Sequence, residues 1–288
     1  MSKLALGTVQ FGLDYGITNS KGQVQIEEVK SILEYAKENN INALDTAPDY
    51  GDSELFLGNL GINKWKVITK LRALPEDVQD IEIWVEDQVR ESLSRLNIPI
   101  IHGLILHKQN QLSYEHSDRL WDAVLKVKHL GLVKKVGYSI YDPGEISLYW
   151  KKYRPDIIQA PYNVFDRRLK TSNWLSKLHN NKVEIHVRSI FLQGLLLINK
   201  LDRPVKFNKW NHIWNTWDRF LEANQISAID ACLSFVMQEE MIDYIVIGVD
   251  SEKQLHQILN GEKYDLAFTE ELGSNDLDLI SPQNWGNI

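Results

Sequence analysis

The chain has few cysteines, prolines and long apolar runs, and each shortage excludes a class of protein. Its 288 residues include one cysteine, so no internal disulfide can form and the cytoplasm is the expected compartment. Its apolar stretches are shorter than the roughly 18 residues of a membrane span, and the N-terminal one is too short for a signal peptide. With 8 prolines and no Pro/Ser-rich linker, a division into separate domains is not indicated.

Positive charge is scarce as well. The net charge is −7, and no run of basic residues occurs, so a nucleic-acid-binding surface is not expected. The 8 histidines include no His-x-His pair at an early strand end, and we expect no metal site. The expected partner is a small molecule. The sequence leaves the oligomeric state open.

Short apolar runs recur, and each is followed by a longer segment with helical periodicity. They predict strands at 3–8, 43–46, 65–70, 101–107, 133–138, 157–160, 183–188 and 244–248. The helical periodicity predicts helices at 25–39, 53–60, 81–96, 116–129, 143–152, 173–180, 228–238 and 251–259. Unbroken apolar strands in strict alternation with helices are typical of parallel sheets covered on their outer face.

This alternation predicts an α/β fold, a (β/α)8 TIM barrel formed by a single domain over residues 1–288. A doubly wound sheet is the alternative. It has little support, because the segment 7–12 (GTVQFG) lacks the paired glycines of a dinucleotide-binding fingerprint.

Two stretches exceed what a barrel requires. The first, 199–224, is interpreted as an insertion on the substrate side, and it carries Trp210, Trp214 and Trp217 at helical spacing. These rings either pack on the barrel, which the pattern favours, or form part of a substrate wall. The second is the C-terminal tail 270–288, which either drapes over the barrel or stays mobile.

Four polar residues fall at or just beyond predicted strand ends. Asp45 and Tyr50 lie in the segment 44–51 (LDTAPDYG), Lys70 ends the third apolar run and His107 ends the fourth. Because catalytic groups of a barrel lie at the carboxyl ends of its strands, we expect these four to converge. Taken singly, each has an ordinary explanation, such as a helix cap, a rim aromatic, a solvated lysine or a satisfied interior histidine.

Together the four side chains suit acid catalysis. A tyrosine donates a proton readily when a cation stabilises its phenolate, and Lys70 can supply that cation. A desolvated lysine in turn needs a carboxylate partner, for which Asp45 is the candidate. His107 would hydrogen-bond the reacting oxygen or help pass the proton. Such a set protonates an alkoxide as it forms from a carbonyl, and since no side chain supplies hydride, a nicotinamide cofactor is implied.

Several motifs resemble the aldo/keto reductase family, in order along the chain from Gly7 to about Leu259. They are the segments 45–54 (DTAPDYGDSE), 68–71 (ITKL), 104–107 (LILH), 136–139 (VGYS), 159–163 (QAPYN) and 188–195 (RSIFLQGL). The resemblance implies a single (β/α)8 barrel that binds NADPH, or less often NADH, without a Rossmann fold. It also implies the catalytic roles argued above.

The resemblance further implies a cofactor site along the later strands. Ser139 and Gln159 would hold the nicotinamide carboxamide, Arg188 would pack on the nicotinamide ring, and Ser189 and Gln193 would lie near the diphosphate. The segment 248–254 would run beside the adenosine ribose. The remaining expected contacts come from Gly7, Thr8, Phe191, Gly248, Asp250, Gln254 and Ile258.

The chain departs from the family pattern at both ends of this site. Ser139 is followed by Ile140 where the family commonly has asparagine, and Ile258 stands where the resemblance implies an asparagine that contacts the adenine. The basic residue that many members place on the 2′-phosphate is absent from positions 248 and 254, and Lys253 only partly offsets the acidic residues around it. The cofactor is therefore NADPH or NADH, with no large preference for NADPH expected.

The leading prediction is NAD(P)H-dependent reduction of an aldehyde or ketone to the alcohol, with a sugar-like or hydroxylated carbonyl as a possible substrate. Two alternatives stay open. One is a catalytically silent or regulatory barrel that binds the dinucleotide, and the other is an epimerase or isomerase that retains its cofactor.

Overall fold

The computed structural model describes residues 2–17, 19 and 22–287. Met1, at the start of the predicted domain, and Ile288, at the end of the predicted tail, lie outside the described residues. Within this range, eight strands form the sheet: β1 (Leu4–Gly7), β2 (Ala43–Asp45), β3 (Lys66–Leu71), β4 (Ile101–Leu106), β5 (Val133–Ser139), β6 (Ile157–Pro161), β7 (Glu184–Arg188) and β8 (Tyr244–Gly248). Each predicted strand is confirmed to within one residue at either end.

The helices of the described residues cover the outside of the sheet. They are α1 (Val9–Gly12), α2 (Ile26–Glu38), α3 (Ser53–Asn59), α4 (Ile81–Leu96), α5 (Ser117–His129), α6 (Pro143–Tyr149), α7 (Arg168–Thr171), α8 (Trp174–Asn180), α9 (Asn211–Asn224), α10 (Ala228–Met237), α11 (Glu252–Leu259) and α12 (Leu277–Ile280). Short 3₁₀ helices occupy Gln109–Ser113, Leu192–Leu197, Val205–Trp210, Glu270–Leu272 and Pro282–Asn287.

Local sequence signals explain several of these bounds. Gly131, just after α5, adopts a left-handed φ of 74° that a side chain would strain. Asp142 caps α6 through a capping box with Glu145, and proline occupies the first turn. This helix ends at Tyr149, three residues before the predicted end.

The strands pair in parallel and in chain order, and β8 returns to pair with β1, which closes the barrel. The predicted (β/α)8 fold is therefore confirmed, and the doubly wound alternative is wrong. Alternate residues point inward, where a small apolar cluster fills the middle of the barrel: Ala5, Ala43, Ile68, Ile105, Ile157, Tyr244 and Val246. The larger apolar core lies between the sheet and the helices.

Beneath this cluster, at the amino end of the strands, the barrel contains a charged network. Glu184 accepts hydrogen bonds from His102 at 3.1 Å and from His186 at 2.9 Å, and it also pairs with Lys135. Burial works to raise the pKa of Glu184, but these three hydrogen bonds outweigh it and hold the pKa well below its usual range. The network closes the floor of the barrel, and His186 is fully buried within it.

The two additional stretches pack against each other. Trp210, Trp214 and Trp217 are buried, and Trp217 donates to the backbone of the segment after β7 at 3.3 Å. From the tail, Trp285 packs edge-on against Phe207, with ring centroids 5.0 Å apart. The tryptophans thus belong to the core, as the favoured interpretation had it, and they offer no aromatic face to a sugar.

Candidate active site

The four predicted catalytic residues meet at the carboxyl end of the barrel. Asp45 is the last residue of β2, Lys70 lies one residue before the end of β3, His107 directly follows β4, and Tyr50 stands in the loop between β2 and α3. They line a cavity of about 420 Å³. The predicted cofactor-binding residues line this same cavity: Gly7, Thr8, Ser139, Gln159, Arg188, Ser189, Phe191, Gln193, Gly248, Asp250, Gln254 and Ile258.

Asp45 and Lys70 form a buried ion pair. The Lys70 Nζ lies 2.6 Å from Asp45 Oδ1 and 2.9 Å from the carbonyl oxygen of Thr46. The second carboxylate oxygen, Oδ2, accepts from Gln159 Nε2 at 2.6 Å. Burial works to lower the pKa of Lys70, but the negative charge of Asp45 prevails and the pKa is raised. The lysine therefore remains an ammonium inside the barrel.

Tyr50 lies over this ammonium, with Lys70 Nζ 4.9 Å from the ring centroid. Burial raises the pKa of the Tyr50 phenol, while charge attraction and hydrogen bonding from Lys70 act to lower it. The balance keeps the phenol protonated at neutral pH. A cation is nonetheless in position to stabilise the phenolate once the proton has left.

His107 packs edge-on against Tyr50, with ring centroids 6.0 Å apart. Its Nδ1 lies 3.1 Å from Asp49 Oδ2, and Asp49 is in turn held by Arg72 Nε at 2.8 Å. Burial lowers the pKa of His107, and the nearby charge of Lys70 adds to the effect, whereas Asp49 opposes it. An ionised carboxylate only accepts, so it keeps a proton on Nδ1 and turns Nε2 toward the cavity side.

Close backbone packing fixes the loop that carries Tyr50. A Cβ added to Gly12 would lie 1.7 Å from the carbonyl oxygen of Tyr50, so only glycine allows α1 to approach the loop. Gly51 has a φ of 52° and faces Gly12 in the same contact. Ser53 then ties the loop to β1 through a 2.7 Å hydrogen bond to Thr8. Gly12, which belongs to the weak glycine pair of segment 7–12, has this packing role.

Beside these four predicted catalytic residues, the ends of β5, β6 and β7 form a wall of the cavity. Ser139 and Gln159 are buried there, while Arg188 is half-buried. The Arg188 guanidinium donates to the carbonyl oxygen of Ile140 at 3.0 Å and lies 4.5 Å from the centroid of the Tyr141 ring. The guanidinium plane is thus fixed on one side by an aromatic ring.

The loop after β7 has an unusual backbone. Ser189, Leu192 and Gln193 have φ values of 60°, 48° and 53°, and Gly194 follows with 90°. Such conformations cost free energy in non-glycine residues and cluster at functional sites. Asn163 helps hold the loop by donating to the carbonyl oxygen of Ser189 at 3.0 Å. Successive turns of this kind point backbone N–H groups into concavities that suit anions.

The far end of the cavity lies between β8 and α11. Gly248, Asp250, Gln254 and Ile258 line it. Near Gly248, the side-chain oxygen of Gln10, which also lines the cavity, is buried and has no hydrogen-bond partner among the described residues. A ligand that donates hydrogen bonds would satisfy this oxygen, which is an observation in favour of a bound polar group.

Sequence reasoning missed several residues of this site. One of them is Tyr15 in the first loop, whose hydroxyl accepts a 2.8 Å hydrogen bond from the predicted residue Gln193 in the seventh loop. Tyr141 and Gln257 also line the cavity and were not predicted. Asp49 was quoted only as part of a motif, and its position next to Tyr50 was the available signal. Tyr15 and Tyr141 lie in loops, where the sequence has no periodicity that marks them, and Gln257 lies in α11, where periodicity predicts a helix but not a contact with the cavity.

Two kinds of structure are absent from the described part of the chain. No cluster of three or more His, Cys, Asp or Glu side chains there is arranged to hold a metal ion. Among those same residues, no helix combines the length and apolar character needed to traverse a bilayer. The single cysteine, Cys232, is a buried free thiol, and burial raises its pKa, which makes it a poor nucleophile.

Comparisons with known proteins agree with this geometry. The sequence profile described as the aldo/keto reductase family matches residues 3–271. The uncharacterized oxidoreductase YqkF of Bacillus subtilis (strain 168) is 24% identical over 278 residues, with 89% of this chain and 90% of that protein covered. The NADH-specific methylglyoxal reductase of Escherichia coli (strain K12) is 28% identical over 189 residues, covering 58% of this chain and 57% of that protein.

Among solved structures, an aldo-keto reductase of Bacillus halodurans in its holo form superimposes with a TM-score of 0.71 at 19% identity, covering 94% of this chain and 90% of that one. This likeness concerns the fold. The closed barrel and the profile match over nearly the whole chain define an oxidoreductase barrel, and the chain belongs to the aldo/keto reductase family. It is an NAD(P)H-dependent oxidoreductase that acts on small carbonyl compounds.

Proposed function

We propose that the protein reduces an aldehyde or ketone to the alcohol at the meeting point of β2, β3 and β4, with Tyr50 as the general acid. The observation that carries this proposal is the buried chain of contacts from Asp45 through Lys70 to Tyr50, with His107 beside it. A binding module has no need for a buried ion pair beneath a phenol.

This arrangement defines the route of proton transfer. Tyr50 donates it to the carbonyl oxygen as negative charge develops there, and Lys70 stabilises the resulting phenolate. Asp45 keeps Lys70 charged, so the cation is present at every turnover. His107, held by Asp49 with its proton on Nδ1, has Nε2 as its accepting nitrogen, so it accepts a hydrogen bond from the hydroxyl of the product alcohol once Tyr50 has protonated the reacting oxygen. When bound, the nicotinamide cofactor supplies the hydride that reaches the carbonyl carbon.

The residues along the cavity fit a dinucleotide. Ser139 and Gln159 offer a hydroxyl and a carboxamide beside the catalytic residues, where the nicotinamide carboxamide would be held. Arg188 offers a flat face to the ring. The positive-φ loop around Gln193 would receive the diphosphate, and the unpartnered oxygen of Gln10 would accept from a ribose hydroxyl. The other predicted residues are also proposed to contact the cofactor: Gly7, Thr8, Phe191, Gly248, Asp250, Gln254 and Ile258.

NADH is the proposed cofactor. The cavity end between β8 and α11 presents Asp250 and the uncharged side chains of Gln254, Gln257 and Ile258. A 2′-phosphate would meet no cation among these lining residues. The name of the Escherichia coli relative, an NADH-specific methylglyoxal reductase, supports the same choice and a small carbonyl substrate.

Three further parts of the proposal concern the whole molecule. Residues 1–288 act as a single domain, and the loops between strand ends and helices, including the segment 199–224, shape the substrate side. The tryptophans of that segment are buried, so they provide no support for a sugar-like substrate. A cytoplasmic location is proposed from the single buried cysteine.

The Tyr50→Phe variant tests the proposal because it removes the hydroxyl and keeps the ring. With NADH and a panel of aldehydes, followed by nicotinamide absorbance, kcat should fall by about 100-fold or more while the Kd for NADH changes little. Tyr15→Phe, which removes a hydroxyl from the cavity mouth, is the matched control. Tight dinucleotide binding with no turnover of any carbonyl would favour the regulatory or isomerase alternative.

A further inference from the structure

Glu28 connects two neighbouring helices, α2 and α11, the second of which lines the far end of the cavity. It lies in the first turn of α2, and its Oε1 accepts a 2.6 Å hydrogen bond from the backbone N–H of Glu252, the first residue of α11. The two helices are aligned side by side, since the rings of Tyr35 and His256 stack with centroids 5.7 Å apart. The contact from Glu28 is therefore part of a packed interface.

The first turn of α11 is a place where anions bind favourably. Its free N–H groups and the helix dipole both attract negative charge. In this chain the protein itself fills the position. Ser251 caps the helix by accepting from the N–H of Gln254, and the Glu28 carboxylate takes the N–H of Glu252. An incoming anion would have to displace a carboxylate of the same sign.

The proposed function decides which part of the cofactor reaches this helix. Hydride must be delivered beside Tyr50, so the nicotinamide occupies that end of the cavity. The opposite end is lined by Asp250, Gln254 and Ile258, from the first turns of α11 and the residues leading into it. The adenosine half of the dinucleotide therefore lies there, and its ribose carries the only group by which NADPH differs from NADH.

We propose that Glu28 determines the choice of dinucleotide by occupying, with its carboxylate, the anion-binding end of α11. The inference rests on the proposed function, because it takes the orientation of the cofactor from the catalytic residues. Asp250 and Glu252 add negative charge at the same helix end, and Lys253, which is exposed, is the basic residue of this turn. A 2′-phosphate dianion meets net repulsion, whereas a 2′-hydroxyl does not.

The test uses ligands that lack the nicotinamide, so that binding is measured apart from catalysis. Calorimetry with ADP-ribose and 2′-phospho-ADP-ribose gives the affinity of the adenosine end directly. Glu28→Gln removes the charge and retains an oxygen that can accept from the N–H of Glu252, while Glu28→Ala vacates the position. Glu27→Gln is the matched control, because it makes the same charge change one residue away on an exposed side chain.

We expect both Glu28 variants to bind 2′-phospho-ADP-ribose about 10-fold more tightly than the wild type, or about 1.4 kcal/mol. Binding of ADP-ribose should change by less than about threefold, and Glu27→Gln should alter neither affinity by more than about twofold. Urea unfolding of each variant, followed by tryptophan fluorescence, establishes that it is folded; if Glu28→Ala unfolds, Glu28→Gln carries the test.

An unchanged preference in folded Glu28 variants would overturn the inference and leave the proposed reductase intact. An equal gain in Glu27→Gln would also overturn it, since general charge would then account for the effect. A wild type that binds neither ligand and reduces no carbonyl would overturn the proposed function together with the inference.

Discussion

The ion pair between Asp45 and Lys70 allows a quantitative test of the barrel interior. Asp45→Asn and Lys70→Met each remove one charge and nearly preserve the side-chain shape, and the double variant removes both. Each single variant leaves an uncompensated charge where the two side chains are only 6% and 2% exposed. The double variant leaves none.

Removing one partner of a buried pair costs about 3–5 kcal/mol of unfolding free energy, whereas replacing both is far less costly. The two single losses would therefore sum to about 6–10 kcal/mol on that scale, and we expect the double variant to lose at least about 2 kcal/mol less than the sum. The short contact of 2.6 Å and the exclusion of water place this pair among the strongly coupled ones.

Urea unfolding followed by fluorescence measures the four free energies, since several of the 9 tryptophans are buried and report on the core. The exposed pair between Glu86 and Arg90, one helical turn apart on α4, is the control, and its coupling should be about 0.5 kcal/mol or less. Additive losses at Asp45 and Lys70 would refute the reasoning, because they would mean that neither charge depends on the other.

Three further predictions address other parts of the molecule. In Asp49→Asn, the carboxylate that opposes the effect of burial on His107 is lost, so the pKa of His107 falls further. The pH profile of kcat/KM should then move to lower pH, while the Kd for NADH stays unchanged. An unchanged pH profile would show that Asp49 does not influence His107. Glu184→Gln should lose about 2 kcal/mol at pH 7. Because the pKa of Glu184 is depressed in the folded protein, the wild type loses this stability as pH falls below about 4.5. Urea titrations at pH 7 and pH 4 should therefore show a smaller pH dependence of the unfolding free energy in the variant. An equal pH dependence in both proteins would mean that the Glu184 carboxylate does not supply this stability. Gly12→Ala should destabilise the protein by about 1–3 kcal/mol and also lower kcat, as measured by thermal unfolding and turnover, and a fully active, stable variant would show that the loop near Tyr50 can yield.

Much of the fold was predictable because local signals were strong. Continuous apolar runs bounded by turn residues located every strand of the barrel, and Asp142, an N-cap residue followed by proline, marks the start of α6. The four catalytic candidates were predictable for a topological reason, since parallel strands of one barrel bring their carboxyl ends to the same rim. The family resemblance added the predicted cofactor-binding residues, which line the same cavity.

Other features depend on the tertiary structure and could not be predicted from the sequence. The support of His107 by Asp49 and Arg72, the contact between Gly12 and Tyr50, and the reach of Glu28 to α11 each join residues far apart in the chain through side-chain rotamers and loop paths. The pKa of Tyr50 is another case. The neighbouring ammonium of Lys70 predicted a lowered pKa, yet burial outweighs the ammonium and raises the pKa. The extent of burial cannot be predicted from the spacing of residues in the sequence.

The sequence by itself determined that eight strands and their covering helices form a barrel, because hydrophobic periodicity acts locally along the chain. It also determined which carboxylate, ammonium, phenol and imidazole lie at the rim, because chain order sets which residues end each strand. The tertiary structure decided how those groups are protonated, what holds them, and which charge faces the far end of the cavity. Those properties depend on distances and on the exclusion of water, and both exist only once the chain has closed on itself.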